Sequence, residues 1–209
     1  MARSECTHVG RPRGFDKDIA LEKALEVFWQ KGYDGASLAD LTEAMGINKP
    51  SMYSAFGNKD QLFLQAIEAY ENRPCAFFDP ALELPTAYQA VESMLRGAAI
   101  NFTEQDHPQG CLIVQGALSC SETAQHVKEA LIEKRQNGEK RLRDRFERAQ
   151  KEGEIPDTTD ITTLARYIGT VLQGMAIQAN NGASTDELMD VVELTFSVLP
   201  GLSKPEGAE

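Results

Sequence analysis

Between Asn48 and Lys59 the sequence gathers an amide, two lysines, a phenol and two small hydroxyls: Asn48, Lys49, Ser51, Tyr53, Ser54 and Lys59. Amides and hydroxyls suit hydrogen bonds to base edges, and lysine and phenol suit phosphates. Nothing in the group pairs a nucleophile with a base, so its chemistry is recognition rather than catalysis. Elsewhere the reactive side chains are sparse: four cysteines (Cys6, Cys75, Cys111, Cys120) and three histidines (His8, His107, His126). Cys6 with His8, and His107 with Cys111, supply two ligands each, too few for a metal centre on their own. No Gly-rich phosphate loop, zinc-binding His-Glu pair or nucleophile elbow occurs. The expectation is a protein that is not an enzyme and uses neither metal nor cofactor.

Holding that recognition group in place requires helices, and almost every segment has a helical pattern. Asp16 to Lys31 sets Leu21, Ala24, Leu25 and Phe28 on one stripe, with Gly32 as a stop. Ser37 is placed to cap a second, short helix with Leu38, Leu41 and Met45 inward, closed by Gly46. Asn48 caps a third whose first turn accepts Pro50, and Met52 and Phe56 hold it to the core. Two short helices joined by Gly46-Ile47-Asn48 have the layout of a helix-turn-helix, in which the second offers its first side chains to the major groove. A longer helix follows from Lys59 to Asn72. Arg73 to Pro85 carries three prolines and reads as a connector. Helical pattern resumes over Thr86 to Glu104, Cys111 to Ser119, Glu122 to Glu152, Asp160 to Ala179 and Thr185 to Leu199, with a frayed tail from Pro200. No strand-like alternation appears.

Across all 209 residues the net charge is −11, which by itself argues against nucleic acid as a partner. Its distribution says otherwise. Through Lys59 there are 8 basic and 8 acidic side chains; beyond it 13 basic face 24 acidic. The acids of the first part gather between Asp16 and Glu43, while Arg3, Arg11 and Arg13 precede them and Lys49 and Lys59 follow. Two modules with different partners are implied. No apolar stretch reaches the ~18 residues of a membrane span. The first residues lack a signal-like apolar run, so a cytoplasmic protein with free thiols and no membrane partner is expected.

The strings Gly32-Tyr33-Asp34-Gly35-Ala36-Ser37-Leu38, Leu41-Thr42-Glu43-Ala44-Met45-Gly46-Ile47-Asn48-Lys49-Pro50-Ser51-Met52-Tyr53 and Phe56-Gly57-Asn58-Lys59-Asp60-Gln61-Leu62-Phe63 resemble the DNA-binding domain of TetR-family transcriptional regulators. The resemblance runs from about Gly10 to Ala69 with its spacing intact, and only loosely beyond. It implies an all-α fold: an N-terminal three-helix DNA-binding domain over residues 1–60, then a helical ligand-binding and dimerisation domain over 61–209. By the same resemblance Tyr53 corresponds to a phosphate-contacting tyrosine and Lys59 to the lysine opening the fourth helix. Ser37, Lys49 and Ser51 fall on positions that touch DNA, and Gly10-Arg11-Pro12-Arg13-Gly14 is similar to a basic arm laid on the duplex, which nominates Arg11 and Arg13. Met52 stands where leucine is commoner. Ala55 stands where many members carry histidine, so one backbone contact is missing.

The resemblance further implies a homodimeric repressor that a small molecule releases from double-stranded operator DNA. The dimer would use the last two helices, through Ala165, Ile168, Gly169, Leu172 and Ala176 on one, and Leu188, Val191, Val192, Leu194, Thr195 and Val198 on the other. Candidates for an effector pocket are Phe78, Tyr88, Phe102, His107, Cys111, Gln115, Tyr167 and Met175, with Phe77, Met94 and His126 also considered. The acidic excess hints at a cationic ligand, or simply keeps the protein off non-target DNA. A different mechanism is also open: Cys111 lies near a helix N-terminus, where thiolate is favoured, and could sense oxidants or electrophiles. Cys111 and Cys120 sit on opposite faces if one helix holds both, so a disulfide between them requires that helix to break. Replacing Cys111 with Ser separates thiol sensing from ligand binding.

Overall fold

The computed structural model describes residues 14–73, 77–118, 124–199 and 202. Arg11, Arg13, Cys6, Cys75, Cys120, His8 and the tail beyond Leu202 lie outside the described residues. The described chain is helical: α1 (Lys17–Gly35), α2 (Leu38–Ala44), α3 (Lys49–Phe56), α4 (Lys59–Glu71), α5 (Phe78–Leu82), α6 (Ala87–Thr103), α7 (Leu112–Leu118), α8 (Gln125–Lys151), α9 (Ile161–Asn180) and α10 (Thr185–Val198). Among the described residues there is no strand, and no helix is long and apolar enough to cross a membrane.

Each boundary in the first four helices has a local cause. Asp16 caps α1 by accepting from the N–H groups of Asp18 and Ile19. The helix breaks at Gly32, where φ is 69°, then adds one more turn. Ser37 and Asp40 close a reciprocal capping box on α2, and Asn58 and Gln61 do the same on α4. Gly46 turns the chain between α2 and α3 at φ 65°. The connector expected over Arg73 to Pro85 contains a helix, α5, that the prolines had hidden. Pro80 sits in its first turn, where no N–H is needed.

Two cores result. One joins α1–α4 around Leu25, Phe28, Leu41, Met52, Phe56 and Phe63, and it takes Leu112, Val127 and Leu131 from α7 and α8. It runs on to Ile67, so most of α4 packs with α1–α3. The second core joins α5–α10 around Met94, Leu95, Phe102, Leu142, Phe146, Ile168, Met175 and Val192. Arg145 is buried in the second half and donates to the carbonyls of Leu84 and Pro85, pinning the α5–α6 turn to α8.

Three capping carboxylates titrate below their ordinary range. Asp40 is held down by Lys31 first and then Ser37, Asp160 by the Thr163 hydroxyl and backbone, and Glu187 by the backbone and hydroxyl of Ser184. A carboxyl with a lowered folded pKa adds stability that is complete above its unfolded pKa of ~4 and is lost as pH falls through the folded value. Asp160→Asn keeps a good cap but removes the titration. We therefore expect urea melts of that variant to lose less stability between about pH 5 and pH 2 than wild type does. An unchanged acid limb would show that the cap charge is irrelevant.

Candidate nucleic-acid interface and effector cavity

The helix-turn-helix presents one polar face built on an apolar back. Met52 and Phe56 of α3 are buried, which turns Lys49, Tyr53 and Ser54 to solvent; Tyr53 is 47 % exposed. Ser51 is half-buried. Two of the nominated residues carry structural duties as well. The Oδ1 of Asn48 accepts from the Ser51 N–H at 2.9 Å, and the Ser37 hydroxyl accepts from Asp40 N–H at 3.1 Å and donates to its Oδ2 at 2.6 Å. Asn48 uses only its amide oxygen here, while the Ser37 hydroxyl both donates and accepts.

Lys59 opens α4 with its Nζ 4.4 Å from the centre of the Tyr33 ring. Burial there pulls its pKa down, and Asp34 and Asp60 pull it back up. Tyr33 in turn hydrogen-bonds Asp60, whose other oxygen lies 2.9 Å from Nε2 of His126 on α8. His126, considered for the pocket, is instead an exposed tie between α8 and the start of α4.

At the opposite end of α4 lies a cavity of about 390 Å³. Phe78 of α5, Phe102 of α6 and Cys111 at the start of α7 line it, together with Phe77. Tyr88, His107, Gln115, Tyr167 and Met175 lie elsewhere. Tyr88 packs on Phe196 between α6 and α10, and Met175 belongs to the second core. Tyr167 is a solvent-facing residue of α9. Gln115 lines a second cavity of about 320 Å³ between α1, α7 and α9. His107 stacks on Trp29 with ring centres 4.6 Å apart.

The wall residues that were not anticipated include Trp29 of α1, Tyr70 of α4 and Arg135 of α8. Trp29 lines both cavities, and its ring carries His107 on one contact, the Arg73 guanidinium on another and Tyr70 at its edge. Tyr70 and Cys111 share this wall, and burial raises the pKa of the Tyr70 phenol as well. The expectation of a favoured thiolate at Cys111 is reversed. Backbone N–H groups of Ile113 and Val114 do approach it, but burial outweighs them and pushes the thiol pKa up.

Glu104, Asp106 and His107 bring possible ligand atoms within 4.8 Å of one another on the α6–α7 loop. Three donors from four consecutive residues, one of them Asp106 at 80 % exposure, do not enclose an ion.

The expected dimer faces also need correction. Ala165, Ile168 and Ala176 of α9 and Leu188, Val192 and Thr195 of α10 are buried inside the subunit. Val191, Leu194 and Val198 of the expected set do stay outside, and Tyr167 and Ile177 of α9 join them, at 37–63 % exposure. Gly169 and Gly174 have open space above them on α9.

Two family models match the chain: bacterial regulatory proteins of the tetR family over residues 20–66, and the tetracyclin repressor-like C-terminal domain over residues 87–193. The HTH-type transcriptional repressor ComR of Escherichia coli (strain K12) is 36 % identical over 197 residues, covering 93 % of this chain and 94 % of ComR. The HTH-type regulator YezE of Bacillus subtilis is 33 % identical, covering 91 % of this chain and 100 % of YezE. Among solved structures, the TetR family regulator CifR, a cysteine mutant complexed with 26-bp double-strand operator DNA, superposes with a TM-score of 0.87 at 39 % identity, covering 91 % of this chain and 100 % of CifR.

Proposed function

Because the chain belongs to the tetR family of bacterial regulatory proteins, we propose that it is a homodimeric repressor whose hold on operator DNA is loosened by a small molecule in the α4 cavity. Regulators of this family are DNA-binding transcription factors, not enzymes. One observation carries the ligand reading: α4 begins at Lys59 on the DNA-facing side and ends beside the cavity at Tyr70 and Glu71. That is about 17 Å of rigid helix between the two sites. Trp29 gives the cavity a second wall from the DNA-binding unit. A ligand that favours a tilted α4 and α1 would shift the two reading heads off their ~34–36 Å spacing. A coupling of ~1–3 kcal/mol suffices for a clear response.

Lys49, Tyr53, Ser54 and Lys59, with the amide of Asn48, are the proposed DNA contacts; Ser51 is a lesser one. Phe78, Phe102 and Cys111 are the proposed effector contacts carried over from the sequence, and Trp29, Tyr70 and Arg135 join them. The homodimer is assigned to the exposed faces of α9 and α10.

The test is fluorescence anisotropy of a duplex from the regulator's own upstream region, titrated with protein and then with small molecules. Release by a ligand that quenches Trp29 fluorescence supports the reading. Saturation of the cavity without any change in operator affinity would sink it. Cys111→Ser should keep release by any non-reactive ligand, since a thiol raised by burial is a poor resting nucleophile. Loss of that release in the serine variant would move the switch to the sulfur.

A further inference from the structure

Charge around the cavity is uneven in a way that selects its occupant. Arg73, Lys134, Arg135 and Arg141 border it, against Glu71, Asp79 and Glu139. Every one of those carboxylates already has a cation: Glu71 meets Lys134 at 2.5 Å, Asp79 meets Arg141 at 2.6 Å, and Glu139 meets Arg166 at 3.0 Å. Arg73 is engaged too, bonded to Glu22 and laid over Trp29. Arg135 alone of the four forms no ion pair among the described residues, and its charge is felt at Cys111. An unmatched guanidinium beside an apolar wall is costly unless an anion or water completes it.

The wall behind it is apolar and aromatic: Tyr70, Phe77, Phe78 and Phe102. Trp29 adds an indole Nε1–H that is buried and has no hydrogen-bond partner among the described residues. A buried donor left unmet is expensive, and an acceptor on a ligand would meet it. The volume, about 390 Å³, is that of a small-molecule site.

We infer that the cavity binds a ring-bearing carboxylate, its anionic head on Arg135 and its apolar body among the phenylalanines. The planar guanidinium matches a carboxylate fork in a way an ammonium does not. This runs against the cationic ligand that the −11 net charge suggests: the surplus acids lie elsewhere on the surface, and those at the cavity are neutralised in place. The inference rests on the cavity being the effector site and adds the class of effector.

Three probes of one shape test it: 3-phenylpropanoate, its neutral amide, and 3-phenylpropylamine. Trp29 is the single tryptophan of the chain, so its fluorescence reports occupancy directly. The carboxylate should bind about tenfold tighter than the amide, and the amine weakest. Arg135→Gln should erase the gap between carboxylate and amide, while Arg135→Lys restores part of it. Lys140→Gln removes one cation from the same helix at a residue paired with Asp144 and outside the cavity wall, and should keep the gap. Equal binding of acid and amide, tighter binding of the amine, no binding of any probe, or a gap that survives Arg135→Gln would each overturn the inference. Operator release is read in parallel. Charge-selective binding without release would leave the ligand class standing and fell the effector reading; release without charge selectivity would do the reverse.

Discussion

Leu194→Glu is expected to give a folded monomer that has lost tight operator binding. Leu194 is 63 % exposed in the single chain, between Val191 at 39 % and Val198 at 55 % on the same outward stripe of α10. A run of large apolar side chains left open on a helix whose other face is fully packed marks a surface that another copy covers. In a two-fold interface the substitution enters twice, and each carboxylate would be desolvated next to its twin and near Asp190 and Glu193. An unpaired charge in such a place costs several kcal/mol. Within the subunit nothing is lost, because Leu188, Val192 and Thr195 on the inward face are untouched. Sedimentation should therefore show monomers with a wild-type far-ultraviolet spectrum. A monomer reads one half-site, so operator affinity should fall roughly 10³-fold or more. A variant that stays dimeric, or a monomer that binds with full affinity, would contradict the assignment.

What could be read in advance differed between the two halves for a physical reason. Helix ends in the DNA-binding unit are declared by single residues: Ser37, Asn48 and Asn58 as caps, Gly32, Gly46 and Gly57 as turns with positive φ. Local chemistry of that kind is written in the sequence, and it fixes which face of α3 looks outward. The C-terminal half depends on long-range choices. Ala165, Ile168 and Val192 are as apolar as Val191 and Leu194, and only the position of α6 and α8 decides which set is covered within the subunit. The cavity shows the same limit more sharply. Trp29, Tyr70 and Arg135 come from three helices distant in the chain, and nothing in their own neighbourhoods announces a shared wall. Cys111 carried a correct local cue, a helix start with approaching N–H groups, and a stronger non-local effect, burial, reversed its consequence.

Lys49→Ala with Tyr53→Ala should nearly abolish operator binding while leaving the protein as stable as wild type. Both side chains stand on the outward face of α3, and the helix is held by Met52 and Phe56, which are 0 % and 3 % exposed. Removing exposed groups that make no side-chain hydrogen bond or ion pair among the described residues changes stability by about 0.5 kcal/mol or less. On the duplex the accounting is different. A lost hydrogen bond or phosphate contact is worth ~1 kcal/mol, and a dimer loses each one in both half-sites. Four lost contacts amount to about 4 kcal/mol, or roughly 10³-fold in affinity. The two residues are also separable by salt. Lys49 displaces a counterion where Tyr53 does not, so Lys49→Ala alone should reduce the slope of log affinity against log salt by about two per dimer, and Tyr53→Ala should leave it nearly unchanged. Anisotropy titrations at several salt concentrations, beside thermal melts, measure both quantities. Equal slopes for the two single variants would remove Lys49 from the phosphate backbone. A fall in melting temperature that matched the loss of binding would mean that these side chains hold the fold rather than the DNA.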